Sequence, residues 1–157
     1  MNEQEWACHY LMSDWAEFGM KDARRSFLQA FQRRNKYLLM AAIPAKQKEL
    51  GRIASNSSNR IDYEQYESLL LDALAVTPLS RGAYRNALQH MFGYVSEQLD
   101  KEETERFLLL VEQYSNGTLS LQKPLQKLQL WASDLSQSYL LEQTIFTYPH
   151  LYHSHAE

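Results

Sequence analysis

Apolar residues recur along this chain every three to four positions, and almost nowhere every second one. The pattern starts behind Asn2, with Glu5 three residues on, which is the spacing of a capping box. That helix runs to Phe18 with Gly19 as its stop, and Trp6, His9, Tyr10 and Ala16 belong to its apolar stripe. Asp22 caps a second helix through "ARRSFLQAFQRRNKYLLMAA", where Phe27, Ala30, Phe31, Tyr37 and Leu38 recur at helical spacing. Pro44 ends it and opens a short helix, "AKQKELGRIA", which stops in the polar run "SNSSNR". Asp62 then caps "YEQYESLLLDALA", with Tyr66, Leu69, Leu70, Ala73 and Leu74 on one face. After the turn "TPLS", Ser80 caps a long helix. Asp100 with Glu103 starts another, "ETERFLLLVEQY", which "SNG" closes with Gly117 in a left-handed turn. A helix from near Lys123 carries Pro124 in its first turn, and "SQSYLLEQTIF" is a last short helix before the tail "TYPHLYHSHAE". With no strand alternation, repeat or linker, the expectation is all-α: a single domain over 1–157, one bundle of about seven or eight helices.

One stretch of the long helix, "RNALQHMFGYV", stands apart. Asn86, His90 and Gly93 share a face at spacings of four and three, and a glycine inside a helix costs about 1 kcal/mol relative to alanine. Gly93 removes a side chain, so either a neighbouring helix or a ligand can come close. Tyr94 follows directly, and Arg85 and Gln89 lie on the adjoining face.

Charge changes this picture more than composition does. Residues 21–60 hold ten basic side chains against Asp22 and Glu49, a net of +8, and the remainder carries −11. Such a segment is either a solvated helix surface or an anion-binding face. Arg33, Arg34, Lys36 and Arg52 are the candidates for phosphate contact. Aromatic residues are plentiful and mostly core, but Tyr37 beside Lys36 and Tyr84 beside Arg85 are candidate stacking pairs for nucleobases.

Chemistry is otherwise sparse. No phosphate loop, GxGxxG or HExxH is present. Cys8 is the only cysteine, which excludes an internal disulfide and an all-cysteine cluster within one chain. His150, His153 and His155 in the tail match no standard metal spacing, so no cofactor or metal is assigned. The longest apolar run, "YLLMAAI", is too short to span a bilayer, and "MNEQEWACHY" is no secretory signal. A cytoplasmic protein without membrane partners is the expectation.

Four stretches in order, "NKYLLMA……ELGRIA", "RNALQHMFGYV", "EQYSNGTLSLQKPL" and "YLLEQTIFTYP", resemble the YbgA-like domain of unknown function. The resemblance covers about Phe27 to Pro149. Its matching positions are Lys36, Tyr37, Gly51, Asn86, His90, Gly93, Tyr94, Tyr114, Gly117, Tyr139, Gln143 and Pro149. Ala42 stands where members often carry histidine, and "TLSL" lacks the usual proline after the glycine turn. Related domains occur fused to an iron–sulfur desulfidase that removes sulfur from thiouridine, where the helical part looks like the holder of transfer RNA. The resemblance therefore implies an accessory module for structured RNA such as tRNA, without desulfidase chemistry of its own. Its phosphate contacts would come from the basic segment, and Asn86, His90, Gly93 and Tyr94 would form a pocket. The alternative is a module that docks on a separately encoded desulfidase-type or DNA-repair enzyme. A third reading, His90 as a general base, has no evident nucleophile or metal beside it.

Overall fold

Among residues 2–19, 25–56, 60–76 and 81–147, which the computed structural model describes, every regular element is helical. The order is α1 (Glu3–Gly19), α2 (Arg25–Ala42), α3 (Gln47–Asn56), α4 (Arg60–Ala75), α5 (Arg81–Phe92), α6 (Lys101–Ser115), α7 (Gln122–Asp134) and α8 (Ser138–Leu141). Short 3-10 turns at Ser96–Gln98 and Thr144–Thr147 complete it. Local chemistry accounts for several ends. The Glu5 N–H donates to Asn2 Oδ1 at 2.9 Å while the Asn2 N–H donates to Glu5 Oε2 at 3.0 Å, the reciprocal bonds of a capping box. Asp100 and Glu103 repeat the arrangement at the start of α6.

The ends of α6 and α7 share a second device. At α6 the Thr118 N–H donates to the Gln113 carbonyl and the Gly117 N–H to the Tyr114 carbonyl, with Gly117 at φ +86°. At α7 the Gln137 and Ser136 N–H groups do the same to the Ala132 and Ser133 carbonyls, with Ser136 at φ +55°. Both are Schellman motifs, which turn the chain by one left-handed residue and satisfy the last carbonyls.

Helix α2 is the centre of the bundle and packs against α1, α3, α5 and the Thr144–Thr147 turn. Every residue from Tyr37 to Ile43 is buried, so the longest apolar run of the chain is a helix end covered on all sides. Its polar groups are met by specific partners. Asp14 Oδ2 accepts from Arg34 Nη2 and from Asn35 Nδ2, each at 2.8 Å. Asn35 Oδ1 in turn accepts from the Thr144 hydroxyl at 2.5 Å. The Gln143 amide donates to the Arg33 carbonyl at 2.7 Å and accepts from the Tyr37 N–H at 3.3 Å. Those two backbone groups are one i, i+4 pair of α2. A buried polar network of this kind stabilises only when every member is satisfied, and among the described residues no buried side-chain polar atom lacks a partner.

Three expectations change. Gly93 is not inside a helix: α5 ends at Phe92, and the Gly93, Tyr94 and Val95 N–H groups bond to His90, Met91 and Phe92 carbonyls in 3-10 fashion. A Cβ on Gly93 would meet the His90 carbonyl at 3.2 Å, so the missing side chain lets the chain tighten as the helix stops. Asp62 does not cap α4, which starts at Arg60; it sits in the first turn, where a carboxylate favours the helix dipole. The last short helix is two pieces, because Gln143 and Thr144 turn inward to the backbone of α2 between them. The caps expected at Asp22 and Ser80, the cations Lys21 and Arg24, and the tail with Pro149, His150, His153 and His155 lie outside the described residues.

Candidate nucleic-acid interface

Helix α2 displays Gln29, Gln32, Arg33 and Lys36 at i, i+3, i+4 and i+7, and α3 displays Lys48, Gly51, Arg52 and Ser55 at the same spacing. These stripes are single helical faces. The turn Pro44–Lys46 folds α3 back beside α2, so the two faces share a groove. Two adjoining clefts occupy it. One, of about 710 Å³, is lined by residues including Gln29, Arg33, Ser55, Tyr94 and Tyr139. The other, of about 690 Å³, is lined by residues including Lys36, Lys48, Gly51 and Arg52. Gln32 and Ser55 belong to both, so the clefts are continuous.

Among the described residues no carboxylate lines either cleft. Arg33, Lys36, Lys48 and Arg52 form no ion pair among the described residues, whereas the nearby Lys46 is paired with Glu49. The groove is therefore a locally uncompensated positive surface on an acidic protein. Gly51 keeps the floor between the helices low, with space for a Cβ at ordinary contact distance, 3.5 Å, from Gln32.

Two tyrosines, Tyr94 and Tyr139, line the first cleft and pack on a third, Tyr37, the three drawn from three elements. Tyr37 comes from α2, Tyr94 from the turn after α5, and Tyr139 from α8. Their ring centroids lie 5.6 Å apart for Tyr94 and Tyr139 and 6.4 Å for the other two pairs. Tyr37 is buried at the bottom and Tyr94 is 40% exposed at the mouth. Arg33 Cζ sits 4.8 Å over the Tyr139 ring, and Lys36 Nζ 5.6 Å from that of Tyr37. Burial raises the Tyr37 hydroxyl far above its ordinary pKa, reinforced by its hydrogen bond to Tyr94. Burial also raises Tyr139, with Tyr94 adding to it and Arg33 and Gln143 opposing. Tyr37 and Tyr139 are thereby held in their neutral form.

The candidates from the sequence divide accordingly. Arg33 and Tyr94 line one cleft, Lys36 and Arg52 the other, and Tyr37 lies beneath them. Arg34 is turned away onto Asp14, 2.8 Å distant, and serves the interior network. Tyr84 is no stacking surface: it is fully buried and its hydroxyl donates to the Glu3 carbonyl at 2.7 Å. Arg85, Asn86, Gln89 and His90 are exposed on α5 but line neither cleft. Arg85 leans 3.6 Å from Glu112 on α6. His90 makes no hydrogen bond to Asn86 among the described residues. Asn86, His90 and Gly93 are exposed on the flank of α5 and the turn that follows it. Lys48 was legible as the residue one turn before Arg52. Tyr139 and Gln143 stood in the family pattern, with nothing local to mark their role.

Among the described residues no cluster of His, Cys, Asp or Glu could hold a metal ion, and no helix is long and apolar enough to cross a membrane. Compared with known proteins, residues 36–149 match the model of a family described as "Protein of unknown function (DUF1722)". No curated protein and no solved structure gives a significant match.

Proposed function

The chain belongs to this DUF1722 family, and on that premise we propose that it is an accessory module which holds structured RNA in the α2–α3 groove. The observation that carries the proposal is the groove in which, among the described residues, no carboxylate lines the clefts and the four cations Arg33, Lys36, Lys48 and Arg52 form no ion pair. Phosphates bind such a surface without reading sequence, and each contact releases counterions. The module works in the cytoplasm as one helical unit, and any chemistry on the RNA belongs to a separate enzyme, such as an iron–sulfur desulfidase. The cations are spread along two helices fixed by a common core, so a ligand has to order only their side chains and not the backbone that carries them.

The test is binding of transfer RNA, with and without thiouridine, followed by fluorescence anisotropy as salt is varied. Four phosphate contacts give a fall in affinity of about 50- to 150-fold between 50 and 200 mM salt. Lys48→Glu with Arg52→Glu lowers affinity at least about tenfold and roughly halves the salt dependence, with an unchanged thermal midpoint. These two serve better than Arg33→Glu with Arg34→Glu, because Arg34 holds Asp14 and its reversal would damage the core. A folded Lys48→Glu, Arg52→Glu protein that binds RNA like the parent removes the groove from the binding surface. A preference for thiolated RNA would place the module beside sulfur chemistry.

A further inference from the structure

We infer that the tyrosine-walled half of the groove takes an unpaired nucleobase stacked on Tyr94, while the cationic half holds the adjoining backbone; this rests on the nucleic-acid reading above. The two clefts differ in a way that matches the two parts of a nucleotide chain. One has aromatic walls and one cation, the other three cations and no ring. They meet at Gln32 and Ser55, so a base in the first leaves its backbone at the second.

Within the aromatic half the open ring is that of Tyr94. Arg33 already covers Tyr139 at 4.8 Å, and Tyr37 is buried. Tyr94 is 40% exposed, yet its orientation is fixed by Tyr139 and Tyr37 at centroid distances of 5.6 and 6.4 Å. A ring held in place and open on one side is a stacking platform that loses little freedom when a base arrives. A paired base has both faces covered by its neighbours, so the platform selects unpaired bases in loops, bulges and ends. The exposed amide of Gln29 at the cleft wall is placed to meet the edge of a base.

The experiment uses the full chain and a six-nucleotide uridine strand with one central 2-aminopurine, against the same strand with an abasic site there. The parent protein is expected to quench the 2-aminopurine fluorescence and to bind the abasic strand about tenfold more weakly. Tyr94→Ala is expected to lose both the quench and the preference, while Tyr94→Phe keeps both because the ring remains. Should Tyr94→Ala fail to fold, the comparison of the two strands on the parent protein still decides. Equal affinity of the parent for both strands overturns the base site and leaves phosphate binding standing. Failure of the parent to bind either strand at 50 mM salt overturns the base site, and failure to bind transfer RNA as well removes the nucleic-acid reading with it.

Discussion

At Gln143 one side chain holds both a site wall and the core. Its amide serves the Arg33 carbonyl and the Tyr37 N–H, and so fixes the turn of α2 from which the groove cation Arg33 and the buried ring of Tyr37 project. Gln143→Ala removes one buried and one part-buried hydrogen bond and is expected to cost about 1–3 kcal/mol in chemical denaturation. Gln143→Glu keeps the shape and one acceptor but cannot donate to Arg33 while ionised. It is therefore expected to be less stable than Gln143→Ala at pH 7 and to recover as the pH falls and the carboxyl protonates. A Glu variant as stable as the parent at pH 7 would mean that the amide's donor is dispensable. Single residues were the least legible feature of the sequence. Arg33 and Arg34 are indistinguishable there, and only a one-residue step around α2 sends one to the groove and the other to Asp14. Tyr139 and Gln143 depend on packing across more than a hundred residues, which no local pattern encodes.

Individual elements were far more legible, because their ends are decided by neighbours in the chain. Both capping boxes, the left-handed Gly117 and Pro124 in the first turn of α7 fall where the sequence puts them. The miss at Gly93 has the same origin: a glycine one residue past Phe92 has the spacing of a helical position until the hydrogen bonds shorten. The paired Schellman turns give a test at this scale. Gly117→Ala puts a Cβ on a residue at φ +86°, 3.0 Å from Arg81 Nη1, and is expected to destabilise by about 1–2 kcal/mol. Ser136 already bears such a Cβ at φ +55°, so Ser136→Gly is expected to raise stability by about 0.5–1 kcal/mol. Opposite shifts in the urea midpoint check the pair, and shifts of the same sign would contradict it.

For the whole molecule the tyrosines set an alkaline limit. Tyr10, Tyr37, Tyr63, Tyr66 and Tyr139 all have their ionisation raised above 10.0, with burial as the largest cause. The folded chain therefore holds protons that the unfolded chain releases near that pH. Stability from these groups is complete below about pH 10 and is lost as the pH climbs beyond it. The thermal midpoint should be level from pH 7 to 9 and fall steeply above 10; a level course to pH 11.5 would show the rings to be more solvated than their packing indicates.

The bond from Gln143 back to α2 also orders events in time. During synthesis α2 leaves the ribosome early, while the side chain that meets its Arg33 and Tyr37 backbone groups is added 110 and 106 residues later. Contacts local in the sequence form before such distant ones. The aromatic cleft, however, gains its final shape only when α8 docks, whereas the lining of the cationic cleft comes from α2 and α3 alone. A chain without α8 would thus carry the cations but lack the tyrosine wall.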